Sequence, residues 1–216
     1  MHEVWLMLQR GGILMIPLIF CSVIVVAIVI ERSISLRKIK VLVPEIISVI
    51  ETFNKPEDIH LAISICQKHE GAFANIVQMG LENKDLPNLE LKELISDQGR
   101  QEVRSLERGL VIIETIAGIA PLLGLLGTVV GMIKVFTVIS EQGIGQTQAL
   151  SGGISEALIT TVVGLSIGIP SLVLYNYFTD KAENLILDIE KFTSQLIRKL
   201  TKFQTSSNAK NNNLQE

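Results

Sequence analysis

Three ionisable side chains, Glu114, Lys134 and Glu156, lie within or at the ends of long uncharged stretches. Charged groups are costly in lipid and therefore usually face protein or water, often along a path for ions or protons. Glu156 is the strongest candidate for such chemistry, because it shares one side of its predicted helix with a row of small residues. Two simpler interpretations of Glu156 stay open: a place in the first helical turn, where a carboxylate suits the helix dipole, or a place at headgroup depth. Lys134 lies toward the outer end of its segment, where its long side chain can reach the interface, and Glu114 lies near the cytoplasmic end.

Small residues form one face on each of two apolar segments, and each face spans about 80° of its helix. The first face holds Ala117, Ala120, Gly124, Thr128 and Gly131, and the second holds Gly153, Ala157, Thr160, Gly164, Gly168 and Ser171, with Thr161 beside them. Such faces call for close helix contact or a narrow lumen, and one three-helix chain is not expected to satisfy both.

Two interpretations of these faces remain open. The first is packing alone, for which the predicted contact residues are Gly124, Gly127, Gly131, Gly164 and Gly168, with Pro121 and Pro170 inside the same helices. The second is a polar path lined by the hydroxyls of Thr128, Thr160 and Thr161 and by the Glu156 carboxylate.

Three uncharged apolar stretches are long enough to cross a bilayer. They run over residues 13–30, 115–133 and 157–179, and a bilayer core requires about 20 apolar residues in a helix. We predict membrane-spanning helices at 13–30, 111–139 and 152–178. Since no small-residue cleavage site follows the first stretch, we expect an uncleaved span.

The basic residues predict an orientation. Of the 19 Lys and Arg residues, eleven fall in residues 31–110 and six in residues 179–216. Because basic segments stay in the cytoplasm, we predict that both segments are cytoplasmic. Residues 1–12 then form a short periplasmic N-terminus, and residues 140–151 form a periplasmic loop.

The cytoplasmic segments have helical patterns. Apolar spacing predicts amphipathic helices at 45–53 and 59–68, and a helix starting at Asn88 shows no strong stop before the second span. Gly99 and Gly109 weaken that helix without breaking it, so we expect it to enter the membrane directly. The third span should continue as a cytoplasmic helix over 179–203, followed by a disordered tail at 204–216. The fold class is therefore an all-α polytopic membrane protein, with two of its three spans extended into long cytoplasmic helices.

Several function classes lack their motifs. The sequence has no nucleotide-binding glycine loop and no recognisable catalytic triad. Its two cysteines and three histidines have no metal-ligand spacing, and the net charge of −3 does not indicate nucleic-acid binding. We therefore predict a non-enzyme with no cofactor or metal, for which an ion gradient is the natural source of energy.

Three sequence runs carry a resemblance to a known family. GGILMIPLIFCSVIVVAIVIERSISLRK, APLLGLLGTVVGMI and GISEALITTVVGLSIGIPSLVLYNYF cover all three spans. They resemble the ExbB/TolQ family of proton-channel subunits, most closely ExbB. These motifs do not separate ExbB, TolQ and unassigned paralogues. The related flagellar subunit MotA has four spans and fits less well.

The resemblance implies a mechanism and partners. Members form homopentamers in the bacterial inner membrane, and their second and third spans line a central pore. An ExbD- or TolR-like single-span subunit threads that pore and carries a transmembrane aspartate, and motion passes to a TonB- or TolA-like protein. The family's pore residues correspond to Thr128, Thr161 and Glu156 here. The alternative hypothesis is a membrane scaffold that conducts no ions.

Overall fold

The computed structural model describes residues 11–52, 58–143 and 147–212. Within these ranges the regular structure is helical, with no strand. The helices are α1 (Met15–Ser35), α2 (Lys38–Val41), α3 (Pro44–Thr52), α4 (Ile59–Lys68), α5 (Ala72–Glu82), α6 (Asn88–Glu107), α7 (Leu110–Gln142) and α8 (Thr147–Asn212). The predicted helices at 45–53 and 59–68 correspond to α3 and α4. The N-terminus up to residue 10 and the tip of the predicted loop at 144–146 lie outside the described residues.

Three helices are long and apolar enough to cross a membrane. They are α1, the stretch Leu110–Glu141 of α7 and the stretch Leu150–Gln204 of α8. Large apolar side chains such as Phe20, Leu122 and Val173 are exposed along them, as expected for surfaces that face lipid. The prediction of an all-α fold with three spanning helices, two of them long, is confirmed.

The second span does not continue directly from the helix that starts at Asn88. Helix α6 ends at Glu107 and α7 begins at Leu110, with Gly109 between them at a φ of 81°. This left-handed conformation interrupts a right-handed helix and suits glycine, which has no Cβ. The expectation that Gly109 weakens the helix without breaking it is wrong, whereas Gly99 does lie inside α6.

A buried arginine binds the end of α6. Arg32 is only 3% exposed, and its Nη1 donates to the carbonyl oxygens of Ser105 at 3.2 Å and Leu106 at 3.1 Å. The last carbonyls of a helix have no partner within the helix, and a cation there also suits the helix dipole. Arg32 therefore stabilises the helix end next to the break at Gly109.

The third span continues without interruption to Asn212. The prediction of a disordered tail from residue 204 is wrong for residues 204–212, and residues 213–216 lie outside the described part. No glycine or proline follows Pro170 before residue 212, so nothing in the sequence stops the helix. In addition, the Gln204 side chain donates to the carbonyl oxygens of Lys84 and Leu86.

The chain forms two compact units, which divide near residues 31, 108 and 178. The apolar unit contains most of α1, all of α7 and the start of α8 around a core of Met15, Leu18, Val25, Ile116 and Ala120. The charged unit contains α2 to α6 and the rest of α8. In its core Phe73 lies against Phe192, with ring centroids 5.9 Å apart.

Candidate functional site on the paired membrane helices

Helices α7 and α8 approach each other through glycines in the apolar unit. A Cβ added at Gly164 would lie 2.5 Å from the Ala120 carbonyl oxygen and 2.9 Å from Gly124 Cα. A Cβ added at Gly124 would lie 3.0 Å from the Thr160 carbonyl oxygen. These are backbone atoms that cannot rotate away, so the close approach of the two helices depends on glycine.

The same contact extends along both helices. A Cβ at Gly131 would lie 2.7 Å from Ala157 Cβ, and one at Gly168 would lie 2.5 Å from Pro121 Cγ. We name this contact the glycine seam, formed by Gly124, Gly127, Gly131, Gly164 and Gly168 with their neighbours on the facing helix. The two small-residue faces cover each other within one chain, contrary to our expectation that one chain could not satisfy them. Their existence therefore does not by itself require an oligomer.

The three candidate threonines have different environments. Thr160 is buried, with 1% of its surface exposed, and its hydroxyl donates to the Ala157 carbonyl oxygen at 2.8 Å. Thr161 donates across the seam to the Gly124 carbonyl oxygen at 2.9 Å. Thr128 is half-buried and donates to the Leu125 carbonyl oxygen of its own helix at 2.6 Å. Of the three, Thr160 and Thr161 take part in the seam contacts, and Thr128 is bonded within its own helix.

Glu156 lies well inside its helix and is paired with a lysine. Helix α8 begins at Thr147, nine residues and about 14 Å before Glu156. The interpretation that Glu156 occupies the first helical turn is therefore wrong. The helix dipole does not stabilise its carboxylate, because dipole effects fall off within the first turn. Glu156 Oε1 accepts a hydrogen bond from Lys134 Nζ at 2.6 Å. The Glu156 side chain is 23% exposed and that of Lys134 is 52% exposed.

The turn before α1 lies against the same carboxylate. Gly12 has a φ of +68°, and a Cβ added there would overlap Glu156 Oε1 and lie 2.9 Å from Glu156 Cδ. The positive φ favours glycine at position 12, and a larger residue there would also displace the Glu156 carboxylate from its present place. The carboxylate thus has Lys134 of α7 on one side and the turn at Gly12 on another.

Glu114 is not part of this arrangement. It is exposed on α7, twenty residues and about 30 Å along the helix from Lys134. Sequence reasoning singled out Lys134 and Glu156 separately but missed their pairing, because the register between two helices is not visible in either helix alone. Among the described residues, no group of three or more His, Cys, Asp or Glu side chains could hold a metal ion.

Comparison with known proteins identifies the family. The sequence model of the MotA/TolQ/ExbB proton channel family matches residues 68–191, which is more than half of the 216 residues. The chain belongs to this family. The resemblance inferred from the sequence is thereby confirmed. The match contains α7, the seam and the Lys134–Glu156 pair, and the family is one of membrane channels rather than of enzymes.

Individual relatives show how far the similarity extends. The biopolymer transport protein ExbB of Aquifex aeolicus is 42% identical over 87 residues, which cover 40% of this chain and 59% of that protein. The ExbB-like 3 protein of Synechocystis is 28% identical over 193 residues, 87% of this chain and 90% of its own length. The Tol-Pal system protein TolQ of Haemophilus influenzae is 34% identical over 102 residues, 45% of each chain. Together with the three apolar helices, the family identifies a multi-pass membrane protein.

Proposed function

We propose that this chain is a proton-channel subunit that uses proton-motive force to drive work on a protein of the outer envelope. The observation that carries the proposal is Glu156, a partly exposed carboxylate inside a membrane-spanning helix and within the family match. Ionisable groups in such places are costly in lipid, so they face protein or water and often mark an ion or proton path. Its single negative charge makes it an acceptor for a moving proton.

The glycine seam limits where protons can pass. Backbone atoms of α7 and α8 approach too closely for water to enter between the helices at Gly124 and Gly164. The path therefore runs along a surface that one chain leaves open, where Thr128 and Glu156 are partly exposed. Several copies around a common axis would enclose that surface as a lumen. From the resemblance to ExbB and TolQ we take the number of copies as five, and we propose a homopentamer in which Thr128 and Glu156 line the pore, with Thr161 at its edge.

Two partners complete the proposed machine. An ExbD- or TolR-like single-span subunit supplies a transmembrane aspartate inside the lumen, and its motion is passed to a TonB- or TolA-like protein. We place the assembly in the bacterial inner membrane, with the N-terminus in the periplasm and the C-terminus in the cytoplasm. The orientation follows from the 17 basic residues in segments 31–110 and 179–216.

A non-conducting scaffold is the second candidate, and the glycine seam favours it. Glycine contacts of this kind are sufficient to hold membrane helices together with no ion path. A scaffold would not depend on an ionised side chain at position 156. Substitution of Glu156 therefore separates the two functions.

The test is proton flux in vesicles that contain the chain together with its single-span partner. A potassium diffusion potential drives protons inward, and a trapped pH-sensitive dye reports the flux. Glu156→Gln keeps the hydrogen-bonding shape but removes the charge, and Glu156→Ala removes both. We expect both variants to lose at least about tenfold in flux, equivalent to about 1.4 kcal/mol on the barrier, while the assembly still elutes intact. Wild-type flux in both variants would favour the scaffold.

A further inference from the structure

The Lys134–Glu156 pair joins two of the three spanning helices at one point. The residues are 22 positions apart on α7 and α8, and Nζ lies 2.6 Å from Oε1. Such a short hydrogen bond between two charged groups is among the stronger polar contacts in proteins. The glycine seam already holds α7 against α8, so the pair is not needed to bring these helices together.

The carboxylate is confined as well as paired. Beyond Lys134, it lies over Gly12, where a Cβ would overlap Oε1. One of the two oxygens that could accept a proton is thus occupied by the ammonium group. A proton that binds this oxygen must displace the ammonium, which then loses its counter-charge within a membrane-spanning helix, where an unpaired charge is costly.

From this geometry we infer that Lys134 is a positioning residue whose ammonium group holds the Glu156 carboxylate over Gly12. We call this ion pair the latch, and it is released whenever a proton binds Glu156 Oε1. The inference rests on the proposed function and adds the regulation of the same site. A carboxylate of the partner subunit, which competes for the Lys134 ammonium group, is the chemical group suited to release the latch. Without such a competitor the Lys134 ammonium group stays bound to Glu156 Oε1. This limits the leak of protons when the single-span partner subunit is absent.

The first test is a zero-length cross-link in the purified full-length chain. A carbodiimide activates the Glu156 carboxyl group, and attack by the Lys134 amine forms an amide as the activated oxygen leaves with the urea. The chain thereby loses one water. We expect mass spectrometry to find this cross-link in the wild type. In Lys134→Met no amine attacks the activated Glu156, so we expect no cross-link; water returns the free carboxyl group and the urea, or the acyl group migrates from oxygen to nitrogen to leave a stable N-acylurea.

Lys38→Met is the matched control, since Lys38 forms a pair of the same 2.6 Å length with Asp188 in the charged unit. It should abolish any Lys38–Asp188 cross-link and leave the Lys134–Glu156 product unchanged. A wild-type chain that shows the Lys38–Asp188 cross-link but no Lys134–Glu156 cross-link would overturn the inference.

The second test is function, with the thermal stability of each variant measured in parallel. In vesicles without the partner, we expect Lys134→Met to raise the proton leak roughly tenfold, because the competing charge-assisted hydrogen bond is gone. Lys134→Arg should restore the low leak, since arginine keeps the positive charge. Equal leak in all three proteins, despite a wild-type cross-link, would mean that the pair is only structural.

The two proposals fail in different ways. If the proposed function is wrong, no driven flux appears with the partner in either wild type or Lys134→Met. If only the latch is wrong, wild type conducts with the partner and Lys134→Met has the same leak and the same driven flux.

Discussion

The Thr128 hydroxyl provides a test of the pore at the scale of one side chain. It donates to the Leu125 carbonyl oxygen of its own helix at 2.6 Å, and valine has almost the same shape without the hydroxyl. We expect Thr128→Val to change stability by less than about 0.5 kcal/mol and to lower driven proton flux about tenfold. Vesicle flux and thermal unfolding in detergent measure the two effects.

Thr115 provides the matched control on the same helix. Its hydroxyl donates to the Val111 carbonyl oxygen at 2.7 Å in an exposed position, thirteen residues and about 20 Å from Thr128. Thr115→Val should leave flux unchanged. Equal flux in wild type, Thr115→Val and Thr128→Val would remove the Thr128 hydroxyl from the proton path.

Cys66 provides a pH-dependent prediction in the charged unit. It is 2% exposed, and burial, with a smaller effect from the charge of Glu82, raises the pKa of its thiol from 9.0 to about 11. Only the thiolate reacts readily with maleimides, so Cys66 should stay unmodified near neutral pH until the chain is denatured. Mass spectrometry of the alkylated protein would measure this, and rapid modification of the folded chain would contradict it.

The same pKa predicts the direction of a stability change. The folded thiol has the higher pKa, so both states keep the proton below pH 9.0, and the unfolded state loses it first as the pH rises. The contribution of Cys66 to stability is therefore present below pH 9.0 and is lost as pH rises toward 11. A Cys66→Ala variant should lack this component of the alkaline loss of stability.

At the scale of helices, two glycines in one predicted helix behave in opposite ways. Gly109 has a φ of 81°, and its added Cβ would lie 3.2 Å from Ile28 Cγ2, whereas an added Cβ at Gly99 meets nothing within 4 Å. We expect Gly109→Ala to destabilise the protein by about 1–2 kcal/mol because of backbone strain. Gly99→Ala should stabilise α6 by about 0.5–1 kcal/mol. Thermal unfolding of both variants would measure the difference. Equal shifts of the unfolding midpoint from that of the wild type would argue that the chain is helical through residue 109.

The helices differ in how much of them could be predicted. The three spans follow from sequence, because about twenty uncharged apolar residues suffice to cross a bilayer. The break at Gly109 does not, because glycine is compatible both with a helix interior, as at Gly99, and with the left-handed conformation of Gly109. The extension of α8 past residue 204 does not follow from composition either, because a polar segment favours disorder while the absence of glycine and proline allows the helix to continue.

The candidate site shows the same limit on prediction. Residue type and helical periodicity suffice to select Glu156, Thr161 and the seam glycines. The contacts of Lys134 and Gly12 with Glu156 depend on how α7, α8 and the turn before α1 align in space, which no single segment encodes. Long-range register is therefore the physical information that the sequence reasoning lacked here.

At the scale of the whole molecule, the distribution of charge predicts how the chain lies in the membrane. Segments 31–110 and 179–216 hold 17 of the 19 basic residues, and such segments resist transfer out of the cytoplasm. Lys92 and Ser151 are both exposed and lie in segments predicted to be on opposite sides. A cysteine at either position therefore reports the orientation.

The experiment uses a Cys21→Ala/Cys66→Ala background with either Lys92→Cys or Ser151→Cys. A membrane-impermeant maleimide is added to cells whose inner membrane is intact and whose periplasm is accessible. We expect rapid labelling of the Ser151→Cys protein, and labelling of the Lys92→Cys protein only after the inner membrane is permeabilised. Labelling of the Lys92→Cys protein in intact cells would show that the true orientation is the reverse of the predicted one. The periplasmic end of the proposed pore, and with it the direction in which protons reach Glu156, would then be reversed as well.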